Sequence, residues 1–548
     1  MGGETVVAVG AESVGKSTLV GALTGGAPKS GNVGGTTTAA ERYEGNGLTV
    51  VDTPGVVLSG DLDSAGETLD ALDEADAVLL VVSAPDLDDQ LARLLPLVAG
   101  RRGAVAVTFW DKVGDEAAGR EALAELEEET GVPFVPVDAR ELDDPALATD
   151  GGAPCGELRT ALSNPTELPG GVRTRIGWGI EPPERVFERP IAGPLVALAL
   201  LLLPAALAVA FANTAAGWLD PVVEAAFAPA VAAAEGLPSP LAAVLAGRFG
   251  LLSMGPFLLV WAGPTVVLFA FVLGAYTASG LANRVTLALH PLTRRVGLTG
   301  RDLVRVVMGF GCNVPAVTNT RGCSACTRCT TISAISFGAA CSYQLPATLA
   351  VFAAAGMPWL VGPYLLVLAV STLAYVRLIA PAAARHAEPL SDRAFLQWPT
   401  RRGLWREARG TLSSFARTAM PVFVAITLVA SALDHGGVLE RVGSALEPAM
   451  ALFGLPGEAA VLVVFSSVRK DGIALFAAEG VAASLTPVEV LTAVYLAGVL
   501  LPCLVTALTV AREVSARFVA GMLARQAAAA CAFAAAIAHG GALLLDLL

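Results

Sequence analysis

Two patterns of apolar and polar positions divide the chain. From residue 1 to about 165, short β-branched apolar runs alternate with acidic amphipathic stretches. Thr5–Val9, Leu48–Val51, Ala77–Val82, Ala104–Phe109 and Phe134–Val137 predict strands, and Lys16–Thr24, Ala65–Glu74, Asp88–Ala99 and Asp115–Thr130 predict helices between them. Strands alternating with helices make a parallel sheet covered on both faces. Ser163–Pro190 is rich in Pro and Gly and predicts a linker. Beyond it the charges vanish for lengths that match a bilayer: Pro190–Leu219, Phe249–Asn283 and Thr330–Val376 carry none, and the last, at 47 residues, has room for two spans with a turn at Gly356–Gly362. Further spans fit Ala416–Leu433, Val490–Ala511 and Gln526–Leu545, and two interrupted ones fit Leu303–Val317 and Ala459–Phe476. The fold expected is an α/β P-loop domain over 1–165, a linker over 166–189, and an all-α polytopic membrane domain over 190–548 with about eight or nine spanning elements.

Charge sharpens this division. Residues 1–190 hold 33 Asp and Glu against 14 Lys and Arg, and residues 191–548 hold 16 against 22. An acidic water-facing part thus precedes a mildly basic, apolar one, which excludes a secreted enzyme, a nucleic-acid binder with a basic face and a single-domain protein. The arginine-rich loops Arg284–Arg305 and Arg385–Arg409 belong on the cytoplasmic side. Four lysines stand beside 32 arginines, a carboxylate-rich surface suited to a high-salt cytoplasm such as a halophilic archaeon's. No signal peptide precedes the first strand, so the N-terminal domain is expected in the cytoplasm with its thiols reduced, and the eight cysteines make no disulfide framework.

The first chemistry is a phosphate cradle. Gly10-Ala11-Glu12-Ser13-Val14-Gly15-Lys16-Ser17-Thr18 follows a strand and opens a helix, as a P-loop must. Its glycines let backbone N–H groups wrap the phosphates, Lys16 brings a point charge, Ser17 offers a hydroxyl to Mg²⁺, and the helix N-terminus adds its dipole. Asp52-Thr53-Pro54-Gly55 after the next strand supplies an Asp for the Mg²⁺ shell and a Gly amide that can sense the γ-phosphate. Gly31–Thr38 between them is suited to a switch loop, with Thr37 (or Thr36) on the metal. Thr108-Phe-Trp-Asp111 stands where GTPases carry Asn-Lys-x-Asp, so Asp111 is expected on the guanine and Thr108 replaces the asparagine. Asp138-Ala139-Arg140 occupies the place of a second base-contacting loop. Val56 follows Gly55, so no carboxamide there orients the attacking water.

The second chemistry lies in the membrane. Polar residues there are costly unless they line a path. Gly309-Phe-Gly-Cys312-Asn313-Val-Pro315 breaks a helix beside a thiol and an amide, and Cys341-Ser-Tyr-Gln-Leu-Pro346 follows. Arg469-Lys470-Asp471 and Pro502-Cys503 repeat the sequence of a broken helix and then a Cys near Pro, as an internal repeat with its site between the halves would. Cys312, Asn313, Cys341 and Cys503 are the candidate residues of that site, with Lys470 and Asp471 weaker ones. Cys323, Cys326 and Cys329 form a second thiol group suited to Fe²⁺, Zn²⁺ or a cluster, though no fourth ligand is evident.

At this point the chain resembles the FeoB family of ferrous iron transporters, which joins a cytoplasmic GTPase to a membrane domain with two gate regions. Gly309–Arg321 is similar to the first gate, Cys341–Pro346 to its Ser-Cys-Ser-Ala-Arg-Leu-Pro, Arg469-Lys470-Asp471 to the second gate's Lys-Glu, and Pro502-Cys503 to its Pro-Cys-Val-Ala-Thr, placing the gates near 303–346 and 459–512. The resemblance implies GTP-driven or GTP-gated Fe²⁺ uptake across the cytoplasmic membrane, with GTP and Mg²⁺ as cofactors and Cys312, Asn313, Cys341 and Cys503 as candidate ligands of the transported metal. Its implied partners are the bilayer, a small cytoplasmic accessory protein and further copies of the chain. The alternatives are transport of Mn²⁺, Zn²⁺ or Co²⁺, an ATP-specific version in view of Thr108, and a membrane-tethered regulatory GTPase. The chain departs from the family in three places. Its helical spacer after the GTPase is absent or vestigial, Ser13 replaces the P-loop asparagine associated with potassium, and Thr277-Ala278-Ser279-Gly280 replaces an acidic Glu-Asp-Ser-Gly.

Overall fold

The computed structural model describes residues 5–11, 14–25, 41–53, 71–73, 75–138, 153–177, 180, 185–247, 250–323, 327–341, 343–386, 395–399, 401–478 and 480–547. It divides into two compact units, Met1–Arg185 with Leu390–Gln397, and Val186–Pro389 with Trp398–Leu548.

The first unit is a seven-stranded sheet: β1 Thr5–Gly10, β2 Glu41–Gly45, β3 Leu48–Asp52, β4 Ala77–Ser83, β5 Arg102–Thr108, β6 Phe134–Pro136 and β7 Thr166–Glu167. The order is β2-β3-β1-β4-β5-β6, with β7 paired to β5. Every residue of β4 is buried, as a continuous apolar run in a sheet covered on both faces should be. The period of two splits its side chains between two cores. Val78, Leu80 and Val82 meet Leu91 and Leu94 of helix α2, Leu87–Val98, while Leu79 and Val81 join Leu19 and Leu23 of helix α1, Lys16–Thr24. Helix α3, Glu116–Thr130, begins at Asp115, whose side chain accepts from the amides of Ala117 and Ala118, and it stops at Gly131 with φ 68°.

Two expectations are corrected here. The sheet is mixed, because β2 runs antiparallel to β3, and β7 antiparallel to β5. Part of the expected linker, moreover, is built into this unit. Leu168 is buried against the sheet, with its amide on Arg101 O at 2.8 Å. The amides of Arg173 and Thr174 reach the Glu129 carboxylate, and those of Ile176 and Gly177 reach Asp88. Helix α4, Ala153–Ser163, buries Leu158 and Leu162 in the core on the α1 face, with Leu19 and Leu23. A Pro- and Gly-rich composition reported the lack of helix and strand periodicity, but not the backbone donors that acidic side chains capture.

The second unit is helical. Among the described residues four helices are long and apolar enough to cross a membrane: Ala192–Glu235, Pro358–Ile379, Pro487–Glu513 and Ala516–Gly541. The pair Gly263–Ala278 and Leu281–Val296 is apolar enough to cross only if its two halves are taken as one span, and it is bent by 86° where Gly280 takes φ 76°. The expected eight or nine elements included two broken ones, Leu303–Val317 and Ala459–Phe476; both are interrupted, and so is 328–354, where an unbroken span was expected. Helix Gly300–Met308 gives way to Asn313–Thr318, Arg328–Gly338 to Gln344–Ala354, and Ala459–Val468 to the short turn Lys470–Ala474. Even Pro487–Glu513 consists of helices 487–499 and 504–513 around Pro502.

Candidate nucleotide site and membrane ion path

The loop after β1 turns under tight constraint. A Cβ on Gly10 would stand 2.3 Å from the Val81 carbonyl, so only glycine leaves the sheet there. Gly15, at φ 88°, opens α1, a backbone that residues with a Cβ rarely adopt. The Lys16 ammonium donates to the carbonyls of Gly10 at 3.0 Å and Ala11 at 2.7 Å, which holds it across the loop. Val14 is buried below and Thr18 half-buried on α1. Ser17 Oγ donates to Asp52 Oδ2 at 2.6 Å, so two of the three expected Mg²⁺ ligands meet although 35 residues separate them. Thr53 Oγ1 donates to Ala8 O at 2.7 Å and fixes the start of the next loop. Glu12, Ser13, Thr37 with Thr36, Gly55, Ala139 and Arg140 lie outside the described residues.

Thr108 requires a correction. It is fully buried, and its hydroxyl lies within hydrogen-bond distance of the carbonyls of Val14, at 2.7 Å, and Val82, at 3.1 Å. It therefore ties the P-loop to the end of β5 rather than facing a base. A β-branched residue that ends a buried strand and carries a hydroxyl needs a carbonyl partner, but the sequence does not say which one. Asp111 follows in a short turn after Phe109, which takes φ 56°, and its carboxylate pairs with Lys112 at 2.5 Å. Asp138, half-buried, lies just past β6. The two acids thus stand at the C-terminal ends of neighbouring strands, at the same sheet edge as the P-loop.

In the helical unit each of the three expected thiols stands at a helix break. Cys312 is the extended residue, φ −157° and ψ 132°, that opens helix 313–318. Cys341 lies between helices 328–338 and 344–354, and Cys503 immediately precedes helix 504–513. Cys312 and Cys503 pack against the same pair, Val314 and Val505. Each of the three thiols lies within electrostatic reach of another. Cys503 Sγ is also 3.0 Å from Thr506 Oγ1. Asn313 is 6% exposed and its Oδ1 is a buried acceptor without a hydrogen bond. It lies over Gly309, where a Cβ would come within 2.9 Å of that oxygen. Among the described residues no three His, Cys, Asp or Glu side chains converge closely enough to hold a metal.

Lys470 also departs from expectation. An ammonium has no lone pair for a metal, and this one donates to the carbonyls of Ala497, Gly498 and Leu501 at 3.1, 2.8 and 2.5 Å. The Asp471 side chain and Cys326 lie outside the described residues. Cys323 is engaged elsewhere: it donates to Asp302 Oδ1 at 3.1 Å and accepts from Arg305 Nη1 at 3.2 Å, while Cys329 is exposed. Several polar contacts were not anticipated. Gln344 Nε2 donates to Tyr364 Oη at 3.0 Å, and Gln526 Nε2 to the carbonyls of Ser336 and Val499 at 3.1 and 2.8 Å. Arg321, at the end of the first gate, grips Glu513 at 2.8 and 2.7 Å. An amide within an apolar stretch was the available signal for Gln344 and Gln526.

Comparison with known proteins gives each part a counterpart. The family model described as 50S ribosome-binding GTPase matches residues 5–107, and the Gate model, described as nucleoside recognition, matches residues 259–356 and 416–517. The chain is 26% identical over 365 residues to the Fe(2+) transporter FeoB of Synechocystis, covering 58% of this chain and 56% of that one. It is 30% identical over 148 residues to the Fe(2+) transporter FeoB of Helicobacter pylori, covering 26% and 23%. It thus spans about half the length of the first of these relatives and less of the second. Among solved structures, S. thermophilus NFeoB E67A bound to GDP·AlF4⁻ is 22% identical, covering 28% of this chain and 64% of that one, with a TM-score of 0.24. The FeoB G-domain from Methanococcus jannaschii is 25% identical, covering 28% and 98%, with a TM-score of 0.20. With a GTPase domain followed by both gate segments in order, the chain belongs to the FeoB family of membrane proteins with a cytosolic, GTP-binding G domain.

Proposed function

We propose that the chain carries Fe²⁺ into the cell through the cytoplasmic membrane, past Cys312, Cys341 and Cys503, under the control of GTP at the Lys16 site. The observation that carries this reading is the placement of three thiols at three separate helix breaks, with Cys312 and Cys503 packed on the same apolar pair and Asn313, next to Cys312, leaving a buried acceptor. Sulfur and carbonyl-type oxygen donors suit Fe²⁺, a borderline ion, and a path without a closed cage lets the ion leave as well as enter.

In the first unit Lys16 would neutralise the β- and γ-phosphates, and Asp111 with Asp138 would face the base from the strand ends. The residues present fit Mg²⁺: Ser17 and Asp52 offer hard oxygen donors already side by side. Bound there, the ion would offset phosphate charge. Ser17 and Asp52 would then give up their mutual hydrogen bond, which makes this pair the point where nucleotide is sensed. The Porphyromonas gingivalis relative is named as a fusion of Fe(2+) transport protein A with FeoB. A small cytoplasmic accessory protein of that kind is a proposed partner, as is a second copy of the chain.

Radiolabelled Fe²⁺ uptake into proteoliposomes, anaerobic and reducing, tests the reading. Uptake by the wild type that disappears in both Cys312→Ser and Lys16→Ala supports a single machine. Uptake lost only in Cys312→Ser leaves a channel indifferent to nucleotide. No uptake by the wild type ends the iron reading, and competition by Mn²⁺, Zn²⁺ and Co²⁺ then decides the metal.

A further inference from the structure

The two gate segments open with the same backbone and different chemistry. Cys312, at φ −157° and ψ 132°, and Arg469, at φ −139° and ψ 131°, are each the extended residue that starts a short helical piece after a break. The next residue is Asn313 in the first segment and Lys470 in the second. Asn313 leaves a buried acceptor without a hydrogen bond, whereas Lys470 brings a buried positive charge.

That charge has a defined receptor. In a continuous helix the Gly498 carbonyl would accept from the amide of residue 502, but Pro502 has none. The Lys470 ammonium takes its place at 2.8 Å and adds the carbonyls of Ala497 and Leu501. These oxygens also carry the negative end of the dipole of helix 487–499. Three inward carbonyls at a broken membrane helix form a site that a cation of any kind can fill. Both Cys341 and Cys503 lie within electrostatic reach of Lys470, and the Gln344 amide stands close over Gly498.

We propose that the carbonyls of Ala497, Gly498 and Leu501 form a cation site on the transport path, that Lys470 fills it as a tethered cation, and that an incoming divalent cation displaces the lysine to pass. The inference rests on the transport reading, which it deepens by adding a site and a competitor. A lysine with only a structural capping role would hold the same carbonyls without regard to metal.

Fe²⁺ binding to the full chain in nanodiscs, without nucleotide and with excess Mg²⁺, separates the two roles. Lys470→Gln keeps N–H donors for the carbonyls and removes the charge, and Lys470→Arg keeps the charge. Lys470→Gln is expected to bind Fe²⁺ at least tenfold tighter than the wild type, with Lys470→Arg no tighter. A Lys470→Gln protein that binds no tighter than the wild type overturns the proposal. Should that variant fail to fold, the wild type answers by itself. Only four lysines are present, so amine acetylation of Lys470 is easily read by mass spectrometry. Its rate is expected to rise several-fold with Fe²⁺ and not with Mg²⁺, and a rate indifferent to Fe²⁺ sinks the idea. Wild-type Fe²⁺ uptake that is sensitive to Cys312→Ser, alongside an unresponsive Lys470, would remove this inference and leave the transport reading standing.

Discussion

The two units solve one problem, the placement of polar groups inside an apolar interior, in different ways. In the nucleotide unit the sheet does the placing. Gly10, Asp52, Ser83 and Thr108 all end strands, so parallel pairing brings the P-loop, the Ser17–Asp52 pair and Asp111 to one edge. Thr108 there finds carbonyls that the fold already presents, at Val14 and Val82. In the membrane unit no such edge exists. Polar side chains collect where helices break, because that is where carbonyls lose their amides. Lys470 and Gln526 both go to the carbonyls at the end of helix 487–499. One unit offers a site by topology and the other by interruption, and the second should be the less forgiving of substitution.

The largest expected effect tests that difference directly. Cys312→Ser, Cys341→Ser and Cys503→Ser replace a polarisable sulfur by a harder oxygen of nearly the same shape. Each should lower Fe²⁺ uptake at least tenfold while nucleotide binding at Lys16 stays within twofold of the wild type. If one thiol proves dispensable, as a buried Cys packed only as a small hydrophobe would be, the path runs past the other two.

Next comes Gln526→Leu, which takes a buried amide away from two carbonyls contributed by different helices. We expect a loss of about 1–3 kcal/mol, the usual cost of orphaned buried acceptors, read as an earlier unfolding transition in detergent. The Gln526 Oε1 is itself without a hydrogen bond, so its removal offsets part of that cost. An unchanged transition would mean that the carbonyls at helix breaks are satisfied by other means, and the contrast between the units would weaken.

The sequence made these two halves legible to different depths. P-loop and Asp-Thr-Pro-Gly spacing foretold the Ser17–Asp52 pair, because a motif carries the strand-turn-helix that positions it. Breaks at Asn313, Lys470 and Pro502 were equally visible, since Gly and Pro in an apolar run have few other uses. What the breaks join was not. Lys470 looked like a metal-site residue until its ammonium was placed on three carbonyls, and Glu513 gave no sign of its bidentate grip on Arg321, 192 residues away. Pairing partners across a helical bundle depend on which faces meet, and apolar periodicity is weak when a helix is hydrophobic all round. The antiparallel β2 was missed for a local reason: Glu41-Arg-Tyr-Glu-Gly45 is an edge strand, half-exposed and charged.

In the nucleotide unit the matching test is Thr108→Val, nearly isosteric and lacking only the hydroxyl. The P-loop carbonyl of Val14 loses its tie to β5, and we expect about 1–2 kcal/mol of lost stability, with nucleotide affinity falling no more than a few-fold. Nucleotide-dependent thermal unfolding measures both. A large loss of GTP affinity with unchanged stability would return Thr108 to the base site.

The smallest effect concerns the segment that composition alone assigned to a linker. The Glu129 carboxylate accepts from the amides of Arg173 at 2.7 Å and Thr174 at 2.9 Å. The Thr174 side chain first, and those two amides next, hold its pKa below the usual glutamate value. A depressed acid stabilises the folded arrangement above its unfolded pKa, and that contribution fades as pH falls through the lower folded value. Residues 173–174 should therefore stay docked at neutral pH and loosen only on acidification past the ordinary glutamate range. Because the carboxylate is exposed, solvent screening keeps the effect small. Hydrogen exchange at the amides of Arg173 and Thr174, corrected for intrinsic rates, should show protection that declines with acid in the wild type and is weak at every pH in Glu129→Gln. Protection unaffected by that substitution would mean that β7 and Leu168 hold the segment without help. The chain after β5 would then be fixed by strand pairing alone, as the nucleotide edge is.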